Sequence, residues 1–228
     1  MQKLLSLTVL LWVAACSTAP KDDPLEGYNR AMFAVNEGVD TVLIRPIAKG
    51  YHYITPDPIR ERIGNMADNL GEPVSMVNAF LQGDFTQGMN NFWRFVINST
   101  FGLGGMHDIA STAGIPNRKE DFGQTLAVWG VDSGPYLVLP ILGPSNLRDA
   151  GGRLADWFAD PLTYAVNDSW TSVGIAAGKG LVQRERLLDP IDDIYASSLD
   201  PYASFKSIYE QHRAAEIKNR QSDKPDLN

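Results

Sequence analysis

The chain of 228 residues carries a net charge of −7, 44% apolar residues and a single cysteine. The acidic balance argues against a nucleic-acid binder, and one cysteine excludes both a disulfide framework and a cysteine-cluster zinc site. The length suffices for a domain with a sizeable core, and no run of about 18 apolar residues marks a membrane-spanning helix.

Residues 1–15 read as a signal peptide: a basic start at Lys3, then an apolar run too short to cross a bilayer. Val13-Ala14-Ala15-Cys16 resembles the bacterial lipobox, which predicts cleavage before Cys16 and acylation of its thiol and amine. Two or more acyl chains anchor a protein stably. Ser17 follows where an Asp would mark inner-membrane retention, which points to the outer membrane. Residues 16–22 are polar and form a tether.

Five Asp-Pro pairs, at Asp23, Asp57, Asp160, Asp189 and Asp200, are candidate helix starts, because Asp caps and Pro suits the first turn. Four of the five are assigned to helices. Asp23-Pro24-Leu25-Glu26 has the spacing of a capping box. Apolar residues recur at helical spacing from residue 24 to about 49, and again from Ile59 to Leu70. A further segment follows Glu72-Pro73. Asp84 is placed as the cap of a helix running to about Asn98. Twenty Gly and fourteen Pro predict short, kinked helices and a mainly helical domain over 23–215. In residues 134–152 an apolar run from Tyr136 to Leu142 is broken by Pro140. It is either buried core or a hairpin that meets lipid or lines a cavity. The tail, 216–228, is polar and expected to be disordered.

Catalytic and metal-binding patterns are absent from the sequence. His52, His107 and His212 form no HxxxH pair, and His107-Asp108 reads as a capped turn. The stretch from Gly174 to Gly180 falls one residue short of a phosphate loop. No enzyme activity, metal or cofactor is expected.

An ordered set of motifs resembles the MlaA (VacJ) family of outer-membrane lipoproteins. It begins with Asp23, Pro24, Asn29 and Arg30 and continues through Arg45-Pro46, then Asn69 with Glu72 and Pro73. Arg94, then Asp121-Phe122-Gly123, follow. Tyr136 with Leu139-Pro140, then Gly143-Pro144 with Arg148-Asp149, and finally Asp200-Pro201-Tyr202 complete the set. The resemblance implies a ring of short amphipathic helices around an amphipathic channel, set in the inner, periplasmic leaflet of the outer membrane. It implies removal of phospholipids misplaced in the outer leaflet, association with a trimeric porin, and delivery to a periplasmic carrier of the MlaC type. Tyr136, Leu139, Pro140, Gly143, Arg148 and Asp149 become the candidates for a hairpin beside that channel. A lipoprotein that only scaffolds porins, and a lipid hydrolase, are the alternatives.

Moving a phospholipid between leaflets puts a charged headgroup where hydrocarbon would be, at a cost of several kcal/mol or more. A polar passage lowers that cost. Trp93, Trp129, Trp157 and Trp170 could sit at headgroup depth; core packing is the expectation for at least two of them.

Overall fold

The structure is a computed structural model that describes residues 23–161 and 169–222. The signal peptide, Cys16, the tether and residues 223–228 lie outside the described residues. The Asp160-Pro161 pair borders the undescribed 162–168.

Helix α1 spans Glu26–Val39 and passes into a π-helical turn, Asp40–Ile44, before α2, Arg45–Ile54. The single helix expected over 24–49 is thus interrupted. Pro46 lies in the first turn of α2 and has no N–H to give, so the backbone bonds re-register just before it. Next come α3 (Asp57–Asn69), α4 (Glu72–Leu81) and α5 (Phe85–Thr100). Short helices α6 (Ile109–Thr112) and α7 (Phe122–Val128) lead to strands β1 (Tyr136–Leu139) and β2 (Gly143–Asn146). Helices α8 (Leu147–Ala159), α9 (Ser169–Arg186), α10 (Leu188–Ser197) and α11 (Pro201–Ser222) finish the fold.

Where a side chain caps a helix it is mostly an aspartate. Asp84, Asp108 and Asp121 each accept a backbone N–H three residues on, and Asp200 accepts that of Ala203. The expected capping box at Asp23 does not form. Its carboxylate instead takes hydrogen bonds from Tyr202, Lys206 and Asn29. Over 216–222 the tail departs from expectation, for α11 runs on to Ser222. Nothing in 202–222 is Gly or Pro, and Glu216 pairs with Arg213 one turn back.

Contacts between elements close on themselves. From α1 they pass through the π-turn to α2, then α9, α3, α5, α4, α7 and α8, which meets the strands, and β1 returns to α1. Helix α11 braces this ring from α7, β2 and α10. Among the described residues no helix is long and apolar enough to cross a membrane.

The inside of this ring is polar. Apart from Val138, the largest fully buried side chains are Arg94, Asn29, Asn78, Asn91, Thr125 and Ser145. Large apolar residues face out. Helix α5 makes the inversion plain: Gln87, Asn91, Arg94 and Asn98 form its buried face, while Phe85, Met89, Phe92 and Trp93 are exposed. Helix α8 repeats it, with Arg148 and Asp149 buried and Leu154, Trp157 and Phe158 exposed. No tryptophan of the four is core; their exposures run from 48% at Trp93 to 82% at Trp170. In place of the sizeable apolar core expected from composition, the described residues show a small buried cluster of Tyr136, Val138 and Tyr202, with Met32, Phe33 and Tyr209 packed against it.

Candidate functional site: an amphipathic chamber beside the hairpin

The apolar run at 136–142 is a two-stranded antiparallel hairpin, with Tyr136 opposite Asn146 and Leu139 opposite Gly143. Two asparagines of α1, two turns apart, hold it. Asn29 donates to the Tyr136 carbonyl at 2.9 Å and accepts the Val138 N–H at 2.9 Å. Asn36 does the same for the Leu139 carbonyl and the Ile141 N–H, at 2.9 and 2.7 Å. Each side-chain amide thus stands in for a neighbouring strand and satisfies backbone groups that would otherwise be orphaned. The tip turns sharply: the Leu142 N–H bonds the Pro140 carbonyl across Ile141, whose φ is +66°. This left-handed conformation is strained in a β-branched residue. Gly143 follows at φ +75°, where a residue lacking Cβ avoids that strain.

The other strand leads into Asp149, a buried hub. Asn146, Arg148, Tyr209 and Arg213 all donate to its carboxylate, at 2.5 to 2.9 Å. Burial would raise its pKa, but the bonds from Arg213 and Tyr209 outweigh this and hold it below the usual range. Arg213 also grips Asp121 with two bonds, which ties α11 to α7. Asp156 of α8 accepts from Asn78 and from the Phe122 N–H, tying α4 to α7. Gly152 and Gly123 let α8 and α7 touch; a Cβ on Gly152 would stand 2.4 Å from the Gly123 nitrogen.

On the opposite arc Arg94 is the hub. It bonds Glu72 at 2.9 Å, Asp108 through both oxygens at 3.0 and 3.1 Å, the Ser111 hydroxyl and the Ile115 carbonyl. Burial pushes Glu72 up, whereas at Asp108 the bonds from Ser111, Arg94 and Asn98 overcome burial and lower the carboxyl to about 2. A carboxyl lowered in the folded state stabilises above its unfolded pKa of 3.8 and loses that contribution as pH falls toward 2. Asp108→Asn is therefore expected to flatten the loss of stability between about pH 4 and pH 2, measured by urea unfolding at a series of pH values. An acid limb identical to the parent's would overturn the assignment.

Between α1, the hairpin tip, α9, α10 and α11 lies a chamber of about 690 Å³. Phe33, Leu43, Ile141, Leu142, Leu181 and Phe205 supply much of its apolar wall. Gly178 and Gly180 of α9 border it with open space in front of them. The polar end holds Asp40, Arg184 and Tyr195. Arg184 grips Asp40 through two bonds of 2.7 and 2.8 Å, at the π-helical turn. Burial, reinforced by Glu37 and Asp40, pushes the Tyr195 hydroxyl up to about 12. A second cavity of about 530 Å³ shares Leu142, Pro144 and Phe205 with the chamber and is charged, with Asp149, Arg153, His212, Arg213 and Glu216 on its wall. An apolar chamber thus abuts a polar vestibule across the hairpin tip.

Of the six hairpin candidates, Gly143 lines the chamber and Asp149 the vestibule. Tyr136 and Arg148 instead border a separate cleft of about 410 Å³, and Leu139 and Pro140 line none of these three. The alternation along β1 explains this, because Tyr136 and Val138 point inward and Leu139 does not. The motif residues serve the ring's polar framework. Asn69 donates to Ser99, and Pro73 sits in the first turn of α4. Arg30 pairs with Asp200 and stacks 4.4 Å from the Tyr202 ring, and Pro24 lies in the turn before α1. Phe122 meets Trp129 edge-on. Sequence reasoning missed Glu37, Asp40, Arg184 and Tyr195, since no spacing links residue 40 to residue 184.

A helical ring with a polar interior, an apolar exterior and an amphipathic chamber is built to sit against lipid and to admit an amphipathic molecule. The chain belongs to the MlaA lipoprotein family, whose profile matches residues 21–216. It is 40% identical over 214 residues to the Escherichia coli K12 intermembrane phospholipid transport system lipoprotein MlaA, covering 91% of this chain and 84% of that one. The Haemophilus influenzae protein of the same name is 34% identical over 197 residues, covering 84% of this chain and 78% of that one. An uncharacterized Rickettsia felis protein is 37% identical over 196 residues, 86% of this chain and 78% of its own. A solved structure from work on how bacterial outer-membrane lipid asymmetry is maintained superposes with a TM-score of 0.76 at 40% identity, covering 86% of this chain and all of that one.

Proposed function

We propose that this protein is an outer-membrane lipoprotein of intermembrane phospholipid transport that maintains lipid asymmetry. It takes phospholipid that has strayed into the outer leaflet and passes it to a soluble periplasmic carrier. The observation that carries this reading is the inverted packing around a chamber. Exposed Phe85, Trp93, Leu154, Trp157 and Phe158 suit a hydrocarbon surround, and the chamber beside the hairpin offers acyl chains an apolar wall and a headgroup a polar end. A scaffold would leave the chamber without a use. The family membership and the E. coli relative's role support the same reading.

In this reading the body sits in the periplasmic leaflet, held by acyl chains on Cys16 and by the apolar belt, beside a trimeric porin. The carrier, of the MlaC type, meets the periplasmic side. No cofactor enters; the chain acts by lowering the cost of carrying a charged headgroup past hydrocarbon. Removing the protein is expected to raise phospholipid accessible on the surface of intact cells, and unchanged levels would overturn the proposal. Cys16→Ser is expected to move the protein from the membrane to the soluble periplasmic fraction; an acylated, membrane-bound variant would contradict the anchor.

A further inference from the structure

Arg153 of α8 is the vestibule arginine that forms no ion pair with a carboxylate among the described residues. The vestibule's acids are already engaged: Arg213 bonds Asp121, Asp149 and Glu216, and Arg148 bonds Asp149 as well. Arg153 is exposed and turns instead to the backbone of the hairpin. Its Nη1 donates to the Leu142 carbonyl at 3.2 Å and its Nη2 to the Pro144 carbonyl at 3.1 Å. Carbonyl dipoles orient a guanidinium without cancelling its charge. Two of the five N–H groups of an arginine are used in this way, and the other three have no partner among the described residues.

Leu142 and Pro144 are also residues that the vestibule shares with the apolar chamber, together with Phe205. The guanidinium therefore sits within hydrogen-bond distance of the seam between an apolar space and a polar one. A phosphodiester at that seam would keep its negative charge on the vestibule side while its acyl chains pass Leu142 and Phe205 into the chamber. The bond would be charge-assisted and suited to the planar fork of an arginine. The two carbonyls already hold the guanidinium in place, which lowers the cost of ordering it. The chamber's own polar end suits a phosphate less well. Arg184 is matched there by Asp40, and Glu37 adds a further negative charge to the wall.

Resting on the transport reading above, we infer that Arg153 binds the phosphate of the transported lipid, at the seam between vestibule and chamber. The contact recognises the phosphodiester that glycerophospholipids share, and it discriminates against a neutral lipid with the same chains, such as diacylglycerol.

The test uses the full lipidated protein, equilibrated with mixed micelles of phosphatidylethanolamine and diacylglycerol of the same acyl chains in equal amounts, and mass spectrometry of the lipid retained after purification. The parent protein is expected to retain the phospholipid in preference to diacylglycerol. Arg153→Gln is expected to lower that ratio about fivefold, the upper end of what an exposed ion pair gives. Arg153→Lys keeps the charge and loses the fork, and is expected to fall between the two. Raising salt from about 0.1 M to about 1 M shortens the screening length from about 10 Å to about 3 Å. This is expected to lower the parent's ratio and leave that of Arg153→Gln unchanged. Arg62→Gln, at an exposed position outside the chamber, vestibule and cleft, is expected to match the parent. Loss of the hairpin's anchorage alone would lower both lipids together and leave their ratio as it was. An unchanged ratio in Arg153→Gln, or a parent ratio indifferent to salt, therefore overturns the inference and leaves the transport reading standing. Displacement of the bound lipid by excess inorganic phosphate would mark a site for the free ion and overturns it too. A parent protein that retains no phospholipid at all sinks the transport reading, and the inference with it.

Discussion

A Gly178→Phe protein is expected to fold and reach the membrane like the parent, yet leave as much phospholipid on the cell surface as cells lacking the protein. Gly178 lies inside α9, lines the chamber, and has no atom within 4 Å of where a Cβ would stand. It also shows no left-handed φ that a side chain would strain. A Cβ there meets nothing, and replacing Gly by Phe in a helix interior recovers a few tenths of a kcal/mol, about 0.5 at most, of helix propensity. A benzyl group instead projects into the space that acyl chains need. The effect falls on transport and spares the fold, which separates it from ordinary destabilising variants. Gly178→Ala is the control: a larger helix gain, little lost volume and unchanged surface phospholipid. Thermal unfolding in detergent checks the fold, and surface phospholipid on intact cells checks the function. Parent-like surface levels in Gly178→Phe, with the protein present at normal amounts, would mean that lipid does not use this chamber.

Helical periodicity was legible, but it did not say which face is buried. In α5 the spacing of Phe92 and its apolar neighbours marks two faces, and the expectation that the apolar one packs inward holds only for a protein surrounded by water. Here Gln87, Asn91, Arg94 and Asn98 turn in, and the apolar face turns out. The same inversion accounts for the four exposed tryptophans. Capping was legible where it was local: Asp84 caps α5 as its position before the helix predicts. It failed at Asp23, where Tyr202 and Lys206, 179 and 183 residues away, draw the carboxylate off. The hairpin was visible as a broken apolar run and as a family likeness, but not its two asparagine clamps. The polar end of the chamber was invisible for the same reason. Asp40 and Arg184 meet only because the π-turn and α9 close the ring. Local chemistry was thus readable, and groups joined by ring closure were not.

Ring closure makes Arg94 the side chain whose loss is expected to cost most. It is 2% exposed and holds α4 through Glu72 and the α6 cap through Asp108, with Ser111 and the Ile115 carbonyl completing its donors. Arg94→Met keeps most of the length and apolar stem but leaves two carboxylates facing each other without their cation. Removing one partner of a buried ion pair costs about 3–5 kcal/mol, because the survivors stay desolvated and uncompensated. Against a total stability of roughly 5–15 kcal/mol, that is enough to deplete the folded protein in cells. The cost comes from the abandoned carboxylates and not from a lost attraction, so it is reversible in a specific way. Glu72→Gln/Asp108→Asn/Arg94→Met, which discharges the cluster as a unit, is expected to be clearly more stable than Arg94→Met alone. Urea unfolding of the three proteins in detergent measures this as a midpoint that falls sharply for the single variant and recovers in part for the triple. A triple variant less stable than Arg94→Met would mean that the carboxylates stabilise the ring independently of the arginine.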